Sequence, residues 1–163
     1  MLRAGGVALV VASLSLAACG DGASDHELVG YRPSGVQQVD TAAMLDGSAD
    51  DAPFAFRADP GKVLVTYFGY TSCPDVCPTS LAMFKNALNQ LGEDASRVQL
   101  AMATIDPNRD TSEILTGYVQ SFVSDAHALR TDDDQVLRAA TDAFGVTFMV
   151  TTNAEGAVEV SHS

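Results

Sequence analysis

Between residues 53 and 163 the apolar positions recur with two distinct periods. FAFRAD (54–59) alternates and runs into PGK, the pattern of an outer strand followed by a turn. VLVTYFGY (63–70) is almost wholly apolar, as expected of a central strand covered on both faces. From Pro78 the period becomes helical. Leu81, Phe84, Leu88 and Leu91 form one stripe, Lys85, Asn86, Asn89 and Gln90 lie opposite, and Gly92 ends the run. VQLAMATI (98–105) predicts a second buried strand. In the DPNRDTSEI that follows, Asp110 and Glu113 have the spacing of a capping box and predict a helix with Ile114, Leu115, Tyr118, Val119 and Phe122 on one face. Asp132 and Gln135 repeat that spacing for a helix over 132–144, with Asp132, Asp133 and Asp134 at its positive end and Gly145 as its stop. VTFMV (146–150) and AVEVSH (157–162) predict two further strands joined by a turn at TNAEG. Strands alternating with helices predict βαβ units and an α/β fold with a mostly parallel central sheet. Functional sites in such sheets gather at the carboxyl ends of strands.

Upstream of residue 53 the pattern is different. Residues 1–18 carry one early positive charge, Arg3, and then an apolar run from Val7 to Ala18. That run is too short to span a bilayer but fits the core of a signal peptide. Small residues precede Cys19, and LAAC resembles a bacterial lipobox, which implies cleavage before Cys19 and lipidation of its side chain. Residues 19–52 are rich in Gly, Ser, Asp and Ala and read as a tether and lead-in, with His26 a solvated linker residue. The folded domain is therefore expected over 53–163, held to a membrane by lipid and facing the extracytoplasmic space of a bacterial envelope.

The chain has 163 residues, enough for one domain with a core, and 47% of them are hydrophobic, which excludes a disordered acidic protein. Its formal net charge of -12 argues against a nucleic-acid partner, because little in it would neutralise phosphates. The three cysteines matter more. With Cys19 lipidated, Cys73 and Cys77 are the free pair in an oxidising compartment.

Those two lie in FGYTSCPDVCPTSL (68–81), just past the 63–70 strand. Pro78 suits the first position of a helix, which makes Cys77 a candidate N-cap. A helix N-terminus lowers thiol pKa, so Cys77, with Cys73 beside it, is expected to have more thiolate character than a free cysteine. A spacing of four residues permits a disulfide and also permits both sulfurs to clamp one metal ion. It differs from the C-x-x-C of dedicated thiol oxidoreductases. A structural zinc site wants four protein ligands, whereas copper(I) accepts soft thiolates with an imidazole at low coordination number. Spacing alone leaves disulfide, redox catalysis and metal binding open.

The residues around the pair narrow the choice. FGYTSCPDVCPTSL resembles the signature of the SenC/SCO family of copper-binding assembly factors, IDPNRDT (105–111) resembles its second block, and VEVSHS (158–163) resembles the segment carrying its metal-binding histidine, with Ser161 where an acidic residue is expected. The likeness covers residues 54–163 in order. It implies a thioredoxin-like fold and a copper site of Cys73, Cys77 and His162. The implied role is assembly of the binuclear copper centre of cytochrome c oxidase, by donating copper to the copper-bearing subunit or by reducing its cysteines. The family's final strand and closing helix find no counterpart before Ser163, so a fragment is expected. A Cys73–Cys77 disulfide would be the oxidised form of the same site, which calls for an extracytoplasmic thiol reductant.

The alternative function is a thiol–disulfide oxidoreductase of envelope proteins, needing both cysteines but not His162. A peroxidase of the same fold is a third reading, weakened because Tyr70 stands where its motif has Thr. His127 reads as a surface or packing residue, Asp106 and Asp110 as structural, and Asp75 as a turn former or thiol partner. Tyr67, Phe68 and Tyr70 read as strand packing, with Tyr70 at the edge of the site. Met44, Met83, Met102 and Met149 do not cluster into a copper motif.

Overall fold

A computed structural model of the chain describes residues 34–35, 37–39, 43–154 and 158–162, so Cys19 and His26 lie outside the described residues. Among the described residues seven strands and three α-helices follow in the order β1 (Ala43–Asp46), β2 (Ala52–Ala55), β3 (Val63–Gly69), α1 (Val76–Leu91), β4 (Val98–Thr104), α2 (Ser112–Gln120), β5 (His127–Arg130), α3 (Asp134–Phe144), β6 (Phe148–Thr152) and β7 (Val158–His162).

Five strands make the central sheet, in the order β2-β1-β5-β4-β3. β3, β4 and β5 are parallel, with Val65 opposite Leu100 and Gly69 opposite Thr104. β1 runs antiparallel to both β5 and β2. β4 sits inside the sheet with helices on both faces, which explains why it reads as a mostly apolar run. Its alternate residues serve different layers. Ala101, Ala103 and Ile105 pack with Phe56, Phe68 and the α3 residues Leu137 and Ala140. Leu100 and Met102 pack with Leu81 of α1 and with Leu115 and Val119 of α2. A period of two along a strand is enough to build both cores from one segment.

Two strands depart from the sequence-based expectation. Ala43–Asp46 falls in the stretch read as tether and lead-in, yet it is the strand between β2 and β5. Its Met44 and Asp46 are buried while Ala43 and Leu45 are exposed. His127–Arg130 is the strand β5, an element the sequence did not predict, and His127 pairs within the sheet and packs against Phe54. β6 and β7 form the expected antiparallel pair, as a two-stranded sheet of their own.

The helix caps also shift. Thr111, not Asp110, caps α2, its hydroxyl accepting from the Ile114 N–H. Asp133, not Asp132, caps α3, accepting from the N–H groups of Gln135 and Val136. Gly145 ends α3 with φ 69°, a left-handed conformation that favours glycine. α1 begins at Val76, so Cys77 lies in its first turn and Asp75 holds the cap position. Pro78 is tolerated there because first-turn N–H groups have no partner inside the helix.

Candidate thiol and metal site

The carboxyl end of β3 delivers the chain into the cysteine loop. Gly69 is its last residue. A Cβ at that position would lie 2.8 Å from Tyr67 Cε1 and 3.0 Å from Cys77 Sγ, so the strand can approach the thiol this closely only with a glycine. The loop then turns tightly. The Cys73 N–H donates to the Tyr70 carbonyl at 3.3 Å, and the Cys77 N–H donates to Cys73 Sγ at 3.4 Å. Cys73 Sγ thus stands at the N-terminal end of α1, accepting from a first-turn amide.

The two sulfurs are not joined to each other, and their environments differ. Cys77 is fully buried and Cys73 half-buried. Burial pushes the Cys77 thiol above its ordinary pKa, and that outweighs the opposing hydrogen bonds from Tyr67 and the Tyr70 backbone. Burial acts on Cys73 in the same direction, but hydrogen bonds from the Cys77 backbone and side chain, the Asp75 backbone and Tyr70 bring it below its ordinary value. The expectation of more thiolate character than a free cysteine therefore fails for Cys77 and holds for Cys73. Its place inside the core costs the anion more than the helix end returns, and Cys73 is the thiol whose pKa is lowered. Tyr70 and Tyr118 are both shifted upward, first by burial and then by the two sulfurs, Tyr118 to about 12.

Cys73 faces a cleft of about 310 Å³ lined also by Tyr70, Pro74, Val76, Val160 and Ser161. Val160 and Ser161 belong to β7, so the hairpin reaches the cysteine loop. Tyr70 Oη lies 3.5 Å from the Val160 carbonyl. His162 is the last residue of β7 and stands in register with Phe148; its side chain lies outside the described residues. Among the described residues no group of three or more His, Cys, Asp or Glu converges as a metal site. His127 is elsewhere, its Nδ1 2.6 Å from Asp46 Oδ2 beneath β1.

Sequence reasoning missed what holds the loop. Asp110, expected to cap a helix, is completely buried and accepts from the Thr71 N–H at 3.0 Å, the Thr71 hydroxyl at 2.5 Å and the Thr104 hydroxyl at 2.6 Å. Arg109 pairs with buried Asp106 and its guanidinium stacks 5.8 Å from the Tyr70 ring centroid. Nothing local marks these contacts, because the partners Thr71 and Asp110 are 39 residues apart.

The asymmetry of the thiols has a direct consequence. With limiting iodoacetamide at pH 7, Cys73 is expected to be alkylated well ahead of Cys77, because it is both the more exposed sulfur and the one whose pKa is lowered. Peptide mass spectrometry reads the ratio, and equal labelling would overturn the assignment.

Comparison with known proteins places these features in context. A family model described as SCO1/SenC matches residues 48–163. A putative copper-binding protein of Stutzerimonas stutzeri is 35% identical over 115 residues, covering 70% of this chain and 56% of the relative. The chain spans about half the length of the curated relatives it matches. Among solved structures, copper-bound ScoI of Bradyrhizobium japonicum superposes with a TM-score of 0.64 at 28% identity, covering 74% of this chain and 75% of that one. A SCO1/SenC family lipoprotein of Bacillus anthracis superposes with a TM-score of 0.56 at 25% identity, covering 73% and 71%. The expected thioredoxin-like α/β fold is the one observed.

Proposed function

The chain belongs to the SCO1/SenC family, and we propose that it is a copper chaperone that carries copper on Cys73, Cys77 and His162 and serves the assembly of the copper centre of cytochrome c oxidase. The observation that carries this reading is Cys73, with Cys77 buried behind it, in a cleft also lined by β7, the strand that ends in His162. Two soft thiolates and an imidazole suit copper(I), and the copper-binding relatives support the same metal. Copper is cargo here. Both thiols must lose their protons to hold copper, and that loss is easier for Cys73, whose pKa is lowered, than for buried Cys77, whose pKa is raised. Lipidation at Cys19 would hold the domain at the membrane outside the cytoplasm, a location that the Bacillus lipoprotein relative supports. No helix among the described residues is long and apolar enough to cross a membrane.

A second reading draws on the same asymmetry. A cleft-lining thiol of lowered pKa backed by a buried thiol is the arrangement of a thiol–disulfide reductase. Cys73 Sγ would attack a client disulfide and expel one client thiolate. Cys77, deprotonated, would then attack Cys73 Sγ, expel the second client thiolate and leave a Cys73–Cys77 disulfide for an extracytoplasmic dithiol to reduce.

Competition of the reduced full chain with a chromophoric copper(I) chelator separates the two. A single copper per chain is expected, with His162→Ala keeping the stoichiometry but losing affinity, on the order of tenfold for one weakened donor. Failure of the reduced parent chain to take copper from any chelator sinks the chaperone reading. A chain that reduces client disulfides without copper and without His162 favours the second.

A further inference from the structure

We propose that Asp110 is a positioning residue for the cysteine pair, holding the 70–73 turn at the sulfur-to-sulfur placement that the site requires. The inference rests on the reading of Cys73 and Cys77 as one functional site, though not on copper being its cargo. The turn that ends in Cys73 has one tether at each end. At its far end the Cys73 N–H is bonded to the Tyr70 carbonyl. At its near end Thr71 offers its N–H and its hydroxyl to the two carboxylate oxygens of Asp110, at 3.0 Å and 2.5 Å. A two-point attachment fixes both position and rotation of a residue, which a single bond does not. Cys73 is two residues beyond Thr71 in the same turn.

Asp110 is itself immobilised from behind. Its carboxylate accepts from the hydroxyl of Thr104, the last residue of β4, at 2.6 Å. Its carbonyl accepts from Arg130 Nε of β5 at 3.2 Å, and its N–H donates to the Asp106 carbonyl at 3.1 Å. The side chain is completely buried and its near neighbours are donors, so the carboxylate is stable only while those donors stay in place. The loop is therefore referenced to the middle of the parallel sheet through one residue. Helix capping, the role its sequence context suggests, falls to Thr111.

The test uses the full chain and four variants. Thr71→Val removes the hydroxyl and keeps the backbone bond, Thr71→Ser restores the hydroxyl, and Asp110→Asn removes the charge at constant shape. Thr141→Val deletes a buried hydroxyl on α3 that donates to the Leu137 carbonyl, and serves as a control for general loosening. The first readout is the reduction potential of the Cys73–Cys77 pair in a dithiol redox buffer, which needs no copper. Loss of the anchor is expected to lower the effective concentration of one thiol at the other about tenfold, making the disulfide easier to reduce by about 30 mV. The second is copper(I) affinity, expected to fall roughly 10–100-fold, the usual range when a support behind a metal ligand is removed. Thr71→Ser should return both values to those of the parent, and Thr141→Val should leave both unchanged. Parental values in Thr71→Val and Asp110→Asn, or equal changes in Thr141→Val, would overturn the proposal. If Asp110→Asn does not fold, Thr71→Val against Thr71→Ser decides it. If the parent chain binds no copper, the chaperone reading fails while the potential still judges Asp110.

Discussion

Cys73→Ser and Cys77→Ser are each expected to abolish stoichiometric copper(I) binding by the full chain, measured as copper retained after gel filtration with a competing chelator. Serine keeps the shape but replaces a soft thiolate with a hard, neutral hydroxyl for which copper(I) has little affinity. On the proposed ligand set one sulfur and one imidazole would remain, the site would lose its chelate, and neither donor alone would hold the ion against the competitor. The two variants should differ in a second respect. Cys73 is half-buried at the cleft, so its serine stays solvated and the fold is nearly as stable as before. Cys77 is buried against Gly69 and Tyr67, and a hydroxyl there must find a partner or cost about 1–3 kcal/mol. Urea unfolding separates that cost from the loss of copper. If either serine variant keeps a full equivalent of copper, the cysteine pair is not the binding site.

The distance between what the chain displays and what it builds is uneven, for physical reasons. β3, β4 and the three helices were readable because burial on one or two faces imposes a period of its own. The cysteine loop was readable because its chemistry lies in one short segment. β1 and β5 were not. Each has four residues, too few to establish an alternation, and the buried positions of β1 are a methionine and an aspartate. AMLD followed by GSA has the composition of a loop, and it becomes a strand because β2 and β5 supply backbone partners on both sides. Asp110 was misread for a related reason. An aspartate three residues before a glutamate has cap spacing whether or not it caps. The burial that makes it an anchor depends on Thr71 and Thr104, which only the tertiary fold brings to it. The thiolate character expected of Cys77 failed because a helix end is visible in sequence while the depth of the core around Cys77 is not.

Asp46 gives the unread strand its largest expected effect. Its carboxylate is 2% exposed and holds four contacts. Oδ1 accepts from the Ser48 N–H at 3.0 Å, the Ser48 hydroxyl at 2.6 Å and the Ala128 N–H at 3.1 Å, and Oδ2 lies 2.6 Å from His127 Nδ1. Two of those partners belong to β5, so the side chain fastens β1 to the parallel part of the sheet. Asp46→Ala leaves the Ala128 N–H and the His127 ring without that acceptor and opens a gap under the strand. A loss of about 3–5 kcal/mol in urea unfolding is expected, the range for removing one partner of a buried charged network. Burial alone would raise the Asp46 pKa, but the hydrogen bonds from Ser48, His127 and Ala128 together hold it below the usual carboxylate value. A carboxyl lowered on folding contributes stability that is present above its unfolded pKa of about 3.9 and drains away as pH falls through the folded value. The parent should therefore lose more stability than Asp46→Ala between neutral pH and the acid limb, so that the two unfolding curves converge toward low pH. A deficit below about 1 kcal/mol at pH 7, or a gap that stays constant on acidification, would show that β1 is held by its backbone ladder and not by this carboxylate.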